Sequence, residues 1–569
     1  MEDSALLRNQ TIARLKRCPD IPVLIVGAGI NGVGLLRELA LQGIGALLVD
    51  KADIAAGASS APSRMIHGGL RYLENRETRL VRESLKERNL LLRNAPHYVK
   101  PLATTIPIFH RTSGIINAMK VFFGGKGKSV NRGALLVKIG LSAYDWYTRH
   151  QRIMPKHRLW SKAESLRQRP ALNPDIVATA TYYDAWISYP ERLCVELVND
   201  ALAVEPRCSL LNYCSLSHIA PNGGVMLQDH VLGDTIEVKP EVVVNATGAW
   251  IDQTNFAMES ETAFIGGTKG SHLVIDNREL YEATQGQMLF YENAEGRICI
   301  LFPIHGHVLV GSTDVRIDDP GQAVCESWEV DYMLESVKQV FPSIEIKPSE
   351  IVFRFTGVRP LPNSAAAVTA QISRDHSIRT MPPSDERPFP VFSLVGGKWT
   401  TFRAFAALVT AEVAAYLDVP VVADSEQMPI GGGRGFPAEG VAREAWLAKM
   451  KRSYPAVSDG RLEVLLARYG TRAEAICDFC HAGEDQPLLT LPNYTHREIE
   501  FLIRFEHVEH LDDLILRRTV IAFTGAVSRA VLEELVGIFV RVKGAPADAD
   551  REVARTIAIL QQKHQVNIN

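Results

Sequence analysis

The sequence predicts an α/β protein with three parts: a nucleotide-binding domain, an antiparallel-sheet domain inserted between its pieces, and a helical domain on the C-terminal side. Three observations predict it. An apolar strand, a glycine-rich turn, a helix and a second strand succeed one another between residues 21 and 50. Apolar runs of strand character recur at 241–250, 297–302, 307–311 and 391–395. Beyond residue 440 the apolar residues repeat at helical spacing instead. The 569 residues are 46% hydrophobic and 22% charged, which excludes collagen-like, low-complexity and disordered chains. A chain of this length has room for roughly two to four domains, each with its own core.

Charge and cysteine content narrow the function classes. With 62 basic and 65 acidic residues the net charge is −3, so no global attraction to nucleic acid is expected. No uninterrupted apolar run reaches the ~18 residues a spanning helix needs. The first twenty residues carry Glu2, Asp3, Arg8, Arg14, Lys16 and Arg17 without an apolar centre, unlike a secretory signal. The 8 cysteines are scattered, as expected of reduced cytoplasmic thiols. Cys477-Asp-Phe-Cys480 has metal-site spacing but no second pair, so core cysteines and no metal are expected.

Taken in order, Ile21–Val26 is a short β-branched run of the kind found in buried parallel strands. Gly27-Ala-Gly29-Ile-Asn31-Gly32 follows, then Leu35, Leu36, Leu39 and Ala40 at helical spacing, Gly43 as a stop, and a second strand ending at Asp50. The chemistry of a bound dinucleotide asks for these types at this spacing. Gly27 permits the tight turn, Gly29 lets backbone N–H groups approach a pyrophosphate, and Gly32 lets the helix pack on the strand. The helix N-terminus adds partial positive charge, and Asp50 can accept hydrogen bonds from a ribose diol. No second glycine fingerprint follows another strand, so one dinucleotide site is expected.

Two distant segments carry further small-residue breaks: Glu241-Val-Val-Val-Asn-Ala-Thr247-Gly248-Ala-Trp250, and Val391-Phe-Ser-Leu-Val-Gly396-Gly397-Lys398-Trp399-Thr400-Thr-Phe-Arg403. With the N-terminal turn, they resemble an FAD-binding Rossmann-like domain of the glutathione-reductase/D-amino-acid-oxidase type, assembled from discontinuous stretches. Residues 57–74, Gly-Ala-Ser59-Ser60-Ala-Pro-Ser63-Arg-Met-Ile-His67-Gly68-Gly69-Leu-Arg71-Tyr72-Leu-Glu, resemble the flavin-contacting signature of the FAD-dependent, quinone-linked glycerol-3-phosphate dehydrogenases. The similarity continues through Lys269-Gly-Ser-His272, Gly311-Ser-Thr-Asp314, Thr356-Gly-Val-Arg359, Ser373-Arg374-Asp375 and Gly396-Gly-Lys398, in that family's order. It loosens after residue 405, where Arg468-Tyr-Gly and Asp512–Thr519 look like the family's helical appendage.

The resemblance implies oxidation of glycerol 3-phosphate to dihydroxyacetone phosphate, with FAD as cofactor and a quinone as acceptor. A dianionic phosphate calls for several cations, arginine above all. Arg71, Arg374 and Lys398 hold the family positions, with Tyr72 adding a hydroxyl. His272 is the expected proton acceptor and Arg359 its electrostatic partner, though the two roles can be exchanged. Lys398 is also expected beside the reduced flavin. The implied cofactor contacts are Gly27, Gly29, Asn31, Gly32, Asp50, Ser59, Ser60, Ser63, His67, Gly68, Gly69, Thr247, Gly248, Gly397, Lys398, Trp399 and Thr400. The Thr313-Asp314 pair reads as a turn.

The implied layout is an FAD domain at 20–110, 170–265 and 350–410, a substrate domain at 111–169 and 266–349, a linker at 411–428, and a helical domain at 429–569 opening on the Gly-rich Pro429–Gly435. For the last, capping, homodimer formation and partner binding are equal readings. Ser188 and Tyr189 stand where the family has an acidic pair, which leaves room for another small anionic hydroxy or amino acid as substrate. A non-catalytic FAD-binding regulatory module is the third reading. Finally, residues 110–158 hold ten lysines and arginines against the single acid Asp145, a net +9, interleaved with Phe122, Phe123, Trp146 and Tyr147. This composition suits a monotopic contact with an anionic membrane surface, placing a cytoplasmic protein on the inner face of the membrane that holds the quinone.

Overall fold

The structure, a computed structural model, describes residues 2–69, 78–110, 154–293, 297–364, 375–544 and 548–568. Two sheets organise these residues. In the first, the strands Val391–Val395, Thr235–Asn245, Asp20–Val26, Ala46–Val49 and Ser209–Leu211 lie parallel in that order, with Ser377–Met381 antiparallel on one edge. The period-2 geometry of a strand divides its residues between two faces. Val23, Ile25, Leu48, Val242 and Val244 meet the helices Ile30–Leu41, Pro190–Val204 and Phe402–Tyr416. Leu24, Val26, Leu47 and Val243 meet the helix Ser4–Arg17 and the hairpin Cys214–Ile219/Val225–Asp229. Both faces are therefore dry, and each Leu or Ile so enclosed contributes ~1.5–3 kcal/mol.

The second sheet is mostly antiparallel and has ten strands. Its central strand Thr268–Ile275 lies between Ile351–Arg359 on one side and His307–Gly311 with Val315–Arg316 on the other. Beyond these come Ile298–Ile304, Met288–Glu292, Val99–Ile108, Ala178–Ile187 and Met65–Ile66. One face packs on the helix Ser327–Val340 through Leu273, Ile275, Val308 and Val310. The other packs directly on the C-terminal helices: Val274, Phe302, Leu309, Phe353 and Phe355 share a core with Leu502, Ile515, Phe523, Leu532 and Leu560.

The strands expected at 297–302 and 307–311 form as Ile298–Ile304 and His307–Gly311, and the helical spacing beyond residue 440 becomes the helices Val441–Ser453, Asp459–Tyr469, Ala473–His481, His496–Phe505, Arg529–Lys543 and Ala549–His564. The division of the chain differs from the expectation in two ways. The strands 99–108, 178–187 and 351–359, assigned above to the FAD domain, hydrogen-bond into the second sheet instead. An alternating or apolar strand carries no label for the sheet it will join, so only long-range pairing decides this. The expected linker at 411–428 also begins inside an element, since 411–416 complete the helix Phe402–Tyr416, and the Gly-rich stretch after Pro429 is closely packed. Gly432 and Gly433 are buried, and a Cβ on them would lie 2.0 Å from the Tyr469 carbonyl oxygen and 2.3 Å from that of Asn94.

Candidate active site

The first half of the site is the glycine turn. Gly27 takes φ +108°, and a Cβ there would lie 2.7 Å from the backbone of Ala246. A Cβ on Gly32 would lie only 1.8 Å from the Gly27 carbonyl oxygen, so the helix Ile30–Leu41 can start this close to the strand only because position 32 is bare. Gly29 caps that helix without a side chain, and the Ile30 amide donates to Ser59 Oγ at 2.9 Å. At the tip of the second strand, Asp50 accepts from the amides of Ala28 (2.7 Å) and Ala52 (2.9 Å). Burial pushes its pKa up to about 6 against those two hydrogen bonds.

The distant segments converge on this turn. Asn31 donates to the Gly396 carbonyl at 3.2 Å, and a Cβ on Gly397 (φ +99°) would lie 2.7 Å from the Asn31 amide nitrogen. Trp399 Nε1 donates to the Ser59 carbonyl at 3.1 Å, with Thr400 buried beside it. Ser60 Oγ turns back on the Gly57 carbonyl. Thr247 donates through Oγ1 to Asn245 at 2.6 Å, Gly248 takes φ +62°, and Trp250 lies under the Lys51 ammonium at 4.5 Å. The Asn31 side-chain oxygen is buried without a hydrogen-bond partner. A bare glycine turn, a helix N-terminus, a carboxylate at the next strand's tip and an orphaned acceptor together fit a dinucleotide. The Gly68 amide donates to the buried carboxylate of Asp184 at 3.0 Å, Gly69 takes φ +79°, and His67 between them and the strand Met65–Ile66 is half-buried.

The second half lies on one face of the second sheet. His272 is 1% exposed, its ring stacked on Phe355 at 4.8 Å, with Ser63 Oγ 2.9 Å from Nε2. Arg359, at the end of the neighbouring strand, donates to Asp314 Oδ1 and Ser312 Oγ (both 3.1 Å) and to the Thr313 carbonyl (3.2 Å). Two glycines clear the space: a Cβ on Gly270 would lie 2.1 Å from the Arg359 guanidinium, and one on Gly311 would lie 2.2 Å from the His272 ring. On the opposite face, Glu329 receives Lys269 Nζ and Ser271 Oγ (each 2.9 Å) and Thr313 Oγ1 (2.6 Å), pinning the backbone that carries the pair. Gly357 presses on the 57–61 loop, where its Cβ would lie 2.9 Å from Ala61. The loop that holds the glycine turn thus also supplies Ser63 to His272.

Of the residues expected from the sequence, the described part of the chain brings His272 and Arg359 onto one face, and Gly27, Asn31, Gly32, Asp50, Ser59, Gly397 and Trp399 around one turn. Arg71, Tyr72 and Arg374 lie outside the described residues. Lys398 sits near Glu83 and His376. Burial is the main shift on both, raising the first and lowering the second, and Lys398 adds a smaller lowering to each. Two partners carry no mark in the sequence. Asp314, which reads as a turn residue, pairs with Arg359, and Ser63, expected at the cofactor, meets His272. Ser188 and Tyr189 pack into the seam under the C-terminal helices. The Ser188 carbonyl accepts from Arg64 and from His305, and Tyr189 lies 4.9 Å from the His305 ring.

Burial, and then the charges of Arg359 and Arg64, lower the His272 pKa to about 3, so the ring is neutral at pH 7. Burial and Arg64 do the same to His305. Since the unfolded chain binds these protons near pH 6.5 and the folded chain near 3, this part of the stability is complete above pH 6.5 and is lost as pH falls toward 3. Each histidine is expected to cost about 1.4 kcal/mol per pH unit in that window. Urea unfolding between pH 7 and 5 checks it, with His305→Phe expected to flatten the slope by one proton.

Both halves together, a glycine turn fit for a dinucleotide and an antiparallel sheet carrying an imidazole and a guanidinium, define the site of a dinucleotide-dependent oxidoreductase. Residues 22–397 match the family of FAD-dependent oxidoreductases, and residues 423–549 match the family described as the C-terminal domain of alpha-glycerophosphate oxidase. A glycerol-3-phosphate dehydrogenase of Synechocystis is 30% identical over 523 residues, 88% of each chain. The aerobic glycerol-3-phosphate dehydrogenase of Escherichia coli is 28% identical over 87% of this chain and 93% of its own. The crystal structure of the Bacillus halodurans glycerol-3-phosphate dehydrogenase with FAD superposes with a TM-score of 0.74 over 98% of both chains at 21% identity. The chain belongs to the FAD-dependent oxidoreductases and, within them, to the glycerol-3-phosphate dehydrogenase family. Among the described residues no helix is long and apolar enough to cross a membrane, and no cluster of three or more metal-ligating side chains occurs.

Proposed function

We propose that this protein oxidises sn-glycerol 3-phosphate to dihydroxyacetone phosphate, its FAD taking the C2 hydride at N5 and the electrons passing on to a membrane quinone. The observation that carries the reading is the placing of His272 and Arg359 on one sheet face, given room by Gly311 and Gly270 and joined through Ser63 to the loop of the glycine turn. The Gly27–Gly32 turn and the helix behind it hold the pyrophosphate and Asp50 holds the adenosine ribose. Ser59, Ser60, His67, Gly68, Gly69, Thr247, Gly248, Gly397, Trp399 and Thr400 line the rest of the cofactor.

His272, neutral at pH 7, takes the C2 hydroxyl proton through Ser63: the Ser63 hydroxyl, hydrogen-bonded to Nε2, passes its own proton to the ring and receives the substrate's. Arg359 is tied to Asp314 as a fixed cation, which suits it to stabilise the developing alkoxide rather than to take a proton. Arg71, Arg374 and Lys398, with Tyr72, bind the phosphate. The basic segment 110–158, of which 111–153 lie outside the described residues, is assigned by its composition to the inner face of the membrane, where a peripheral enzyme reaches a lipid-dissolved quinone without spanning.

Anaerobic addition of sn-glycerol 3-phosphate is expected to bleach the flavin absorbance, and a soluble quinone analogue to restore it. Bleaching only by other hydroxy or amino acids would move the substrate, and no bleaching by any would leave a binding module. The family description of the C-terminal domain favours one second reading, oxygen as acceptor, for which the same assay in air would yield stoichiometric peroxide.

A further inference from the structure

The C-terminal helical region contributes a buried charge cluster that reaches the cofactor loop. Asp53, three residues beyond Asp50, is fully buried and accepts both guanidinium nitrogens of Arg518, Oδ2 at 2.7 Å and Oδ1 at 2.8 Å. Arg517 Nε adds a third contact to Oδ2 at 2.5 Å while its Nη2 holds Asp513 at 2.6 Å, and Asn212 donates to Oδ1 at 3.2 Å. Burial opposes ionisation of Asp53, but Arg518 and Arg517 outweigh it and hold the carboxyl well below the usual carboxylate range. The bidentate fork and full desolvation make this a strong contact in place and a costly one to break.

Asp53 connects to the glycine turn through a short run of hydrogen bonds. Its carbonyl accepts from the Ala56 amide (3.2 Å). The Ala55 amide, on a residue with φ +60°, donates to the Ala28 carbonyl (3.0 Å), and the Ala28 amide in turn donates to Asp50. From the other side, the Ala52 carbonyl accepts from Tyr213 and the Asp50 carbonyl from Cys214. The segment 50–56 is therefore stretched between the glycine turn and two arginines more than 460 residues away in sequence.

We propose that Asp53 is a positioning residue for FAD: clamped by Arg517 and Arg518, it fixes the 50–56 segment that sets Asp50 and Ala28 against the adenosine end of the cofactor. The C-terminal region thereby governs FAD affinity without touching FAD. The proposal rests on the FAD reading of the glycine turn.

The test is FAD binding by apoprotein of the full chain, followed by flavin fluorescence, for wild type, Asp53→Asn and Arg518→Lys. Both variants are expected to raise the FAD Kd about tenfold or more. The absorption maxima of the bound flavin and the KM at saturating FAD should stay at wild-type values, because the reacting end is untouched. Glu498→Gln is the control. It breaks a buried ion pair with Arg468 (3.1 Å) wholly within the helical region, and it should lower Tm while leaving the FAD Kd unchanged. Where Asp53→Asn fails to fold, Arg518→Lys, which keeps the buried positive charge, carries the test. Variants that lose Tm as Glu498→Gln does but bind FAD with wild-type affinity would overturn the proposal. A wild-type chain that itself bound no FAD would remove the FAD reading along with it.

Discussion

Replacing Arg359 with alanine is expected to lower kcat/KM for sn-glycerol 3-phosphate by about 10²–10³-fold, the scale of removing a preorganised donor from a developing oxyanion. The loss should fall mainly on kcat, since the guanidinium is assigned to charge that appears during the reaction rather than to the phosphate. Arg359→Lys should recover only part of it: the ammonium concentrates its donors on one nitrogen, whereas Arg359 reaches Asp314 with Nη1 and Ser312 and the Thr313 carbonyl with Nη2. Asp314→Asn should cost less, about tenfold, because Arg359 keeps its charge and its hydrogen bonds to Ser312 and the Thr313 carbonyl. Steady-state kinetics with a quinone analogue measures all three, with FAD content determined alongside. An Arg359→Ala enzyme that keeps wild-type kcat while raising KM would shift this residue to phosphate binding.

Substituting Gly32 by alanine is expected to abolish stable FAD binding, raising the Kd by at least about 100-fold, or roughly 3 kcal/mol. The added methyl would lie 1.8 Å from a backbone oxygen of Gly27, which is itself held against Ala246, so no flexible side chain is available to give way. The helix must tilt off the strand, and its N-terminus then leaves the pyrophosphate position. Gly460→Ala, in a helix first turn with nothing within 4 Å of the new Cβ, is the matched control and should be neutral or slightly stabilising. The visible absorbance of the purified proteins decides the matter: a yellow Gly32→Ala protein with a native FAD:protein ratio would contradict the turn's assignment.

The residues differ in how far sequence alone exposes them. The unit from Ile21 to Asp50 was readable because every requirement in it is local: a strand, three glycines, a helix and a strand within thirty residues. The Asp53–Arg518 and Ser63–His272 contacts were not, since a charged pair 465 residues apart, or a hydroxyl and an imidazole 209 apart, leaves no periodic mark. Asp314 illustrates an intermediate case. Its place after a strand reads as a turn, and only the pairing of Thr268 with Arg359 across the sheet brings the guanidinium to it. Residues 99–108, 178–187 and 351–359 fall inside the ranges expected for the FAD domain, yet they are strands of the second sheet, because register and neighbour are properties of the assembled sheet. The seam around Ser188 and Tyr189 shows the converse. Two residues that looked like a change of substrate-side charge are absorbed by Arg64, His305 and Tyr98.

The covering of the second sheet by the C-terminal helices bears on how the protein is made. Phe355, the platform for His272, packs with Phe523, and Phe353 stacks on His564 of the helix Ala549–His564 at 4.4 Å. A ribosome emits that strand well before the helix that shields it, so the nascent chain carries an aromatic ridge in water while synthesis runs on. The imidazole of His272 gains its rigid backing only when translation has delivered the final helices. A polypeptide released early would display that ridge to chaperones and proteases, whereas a completed one hides it.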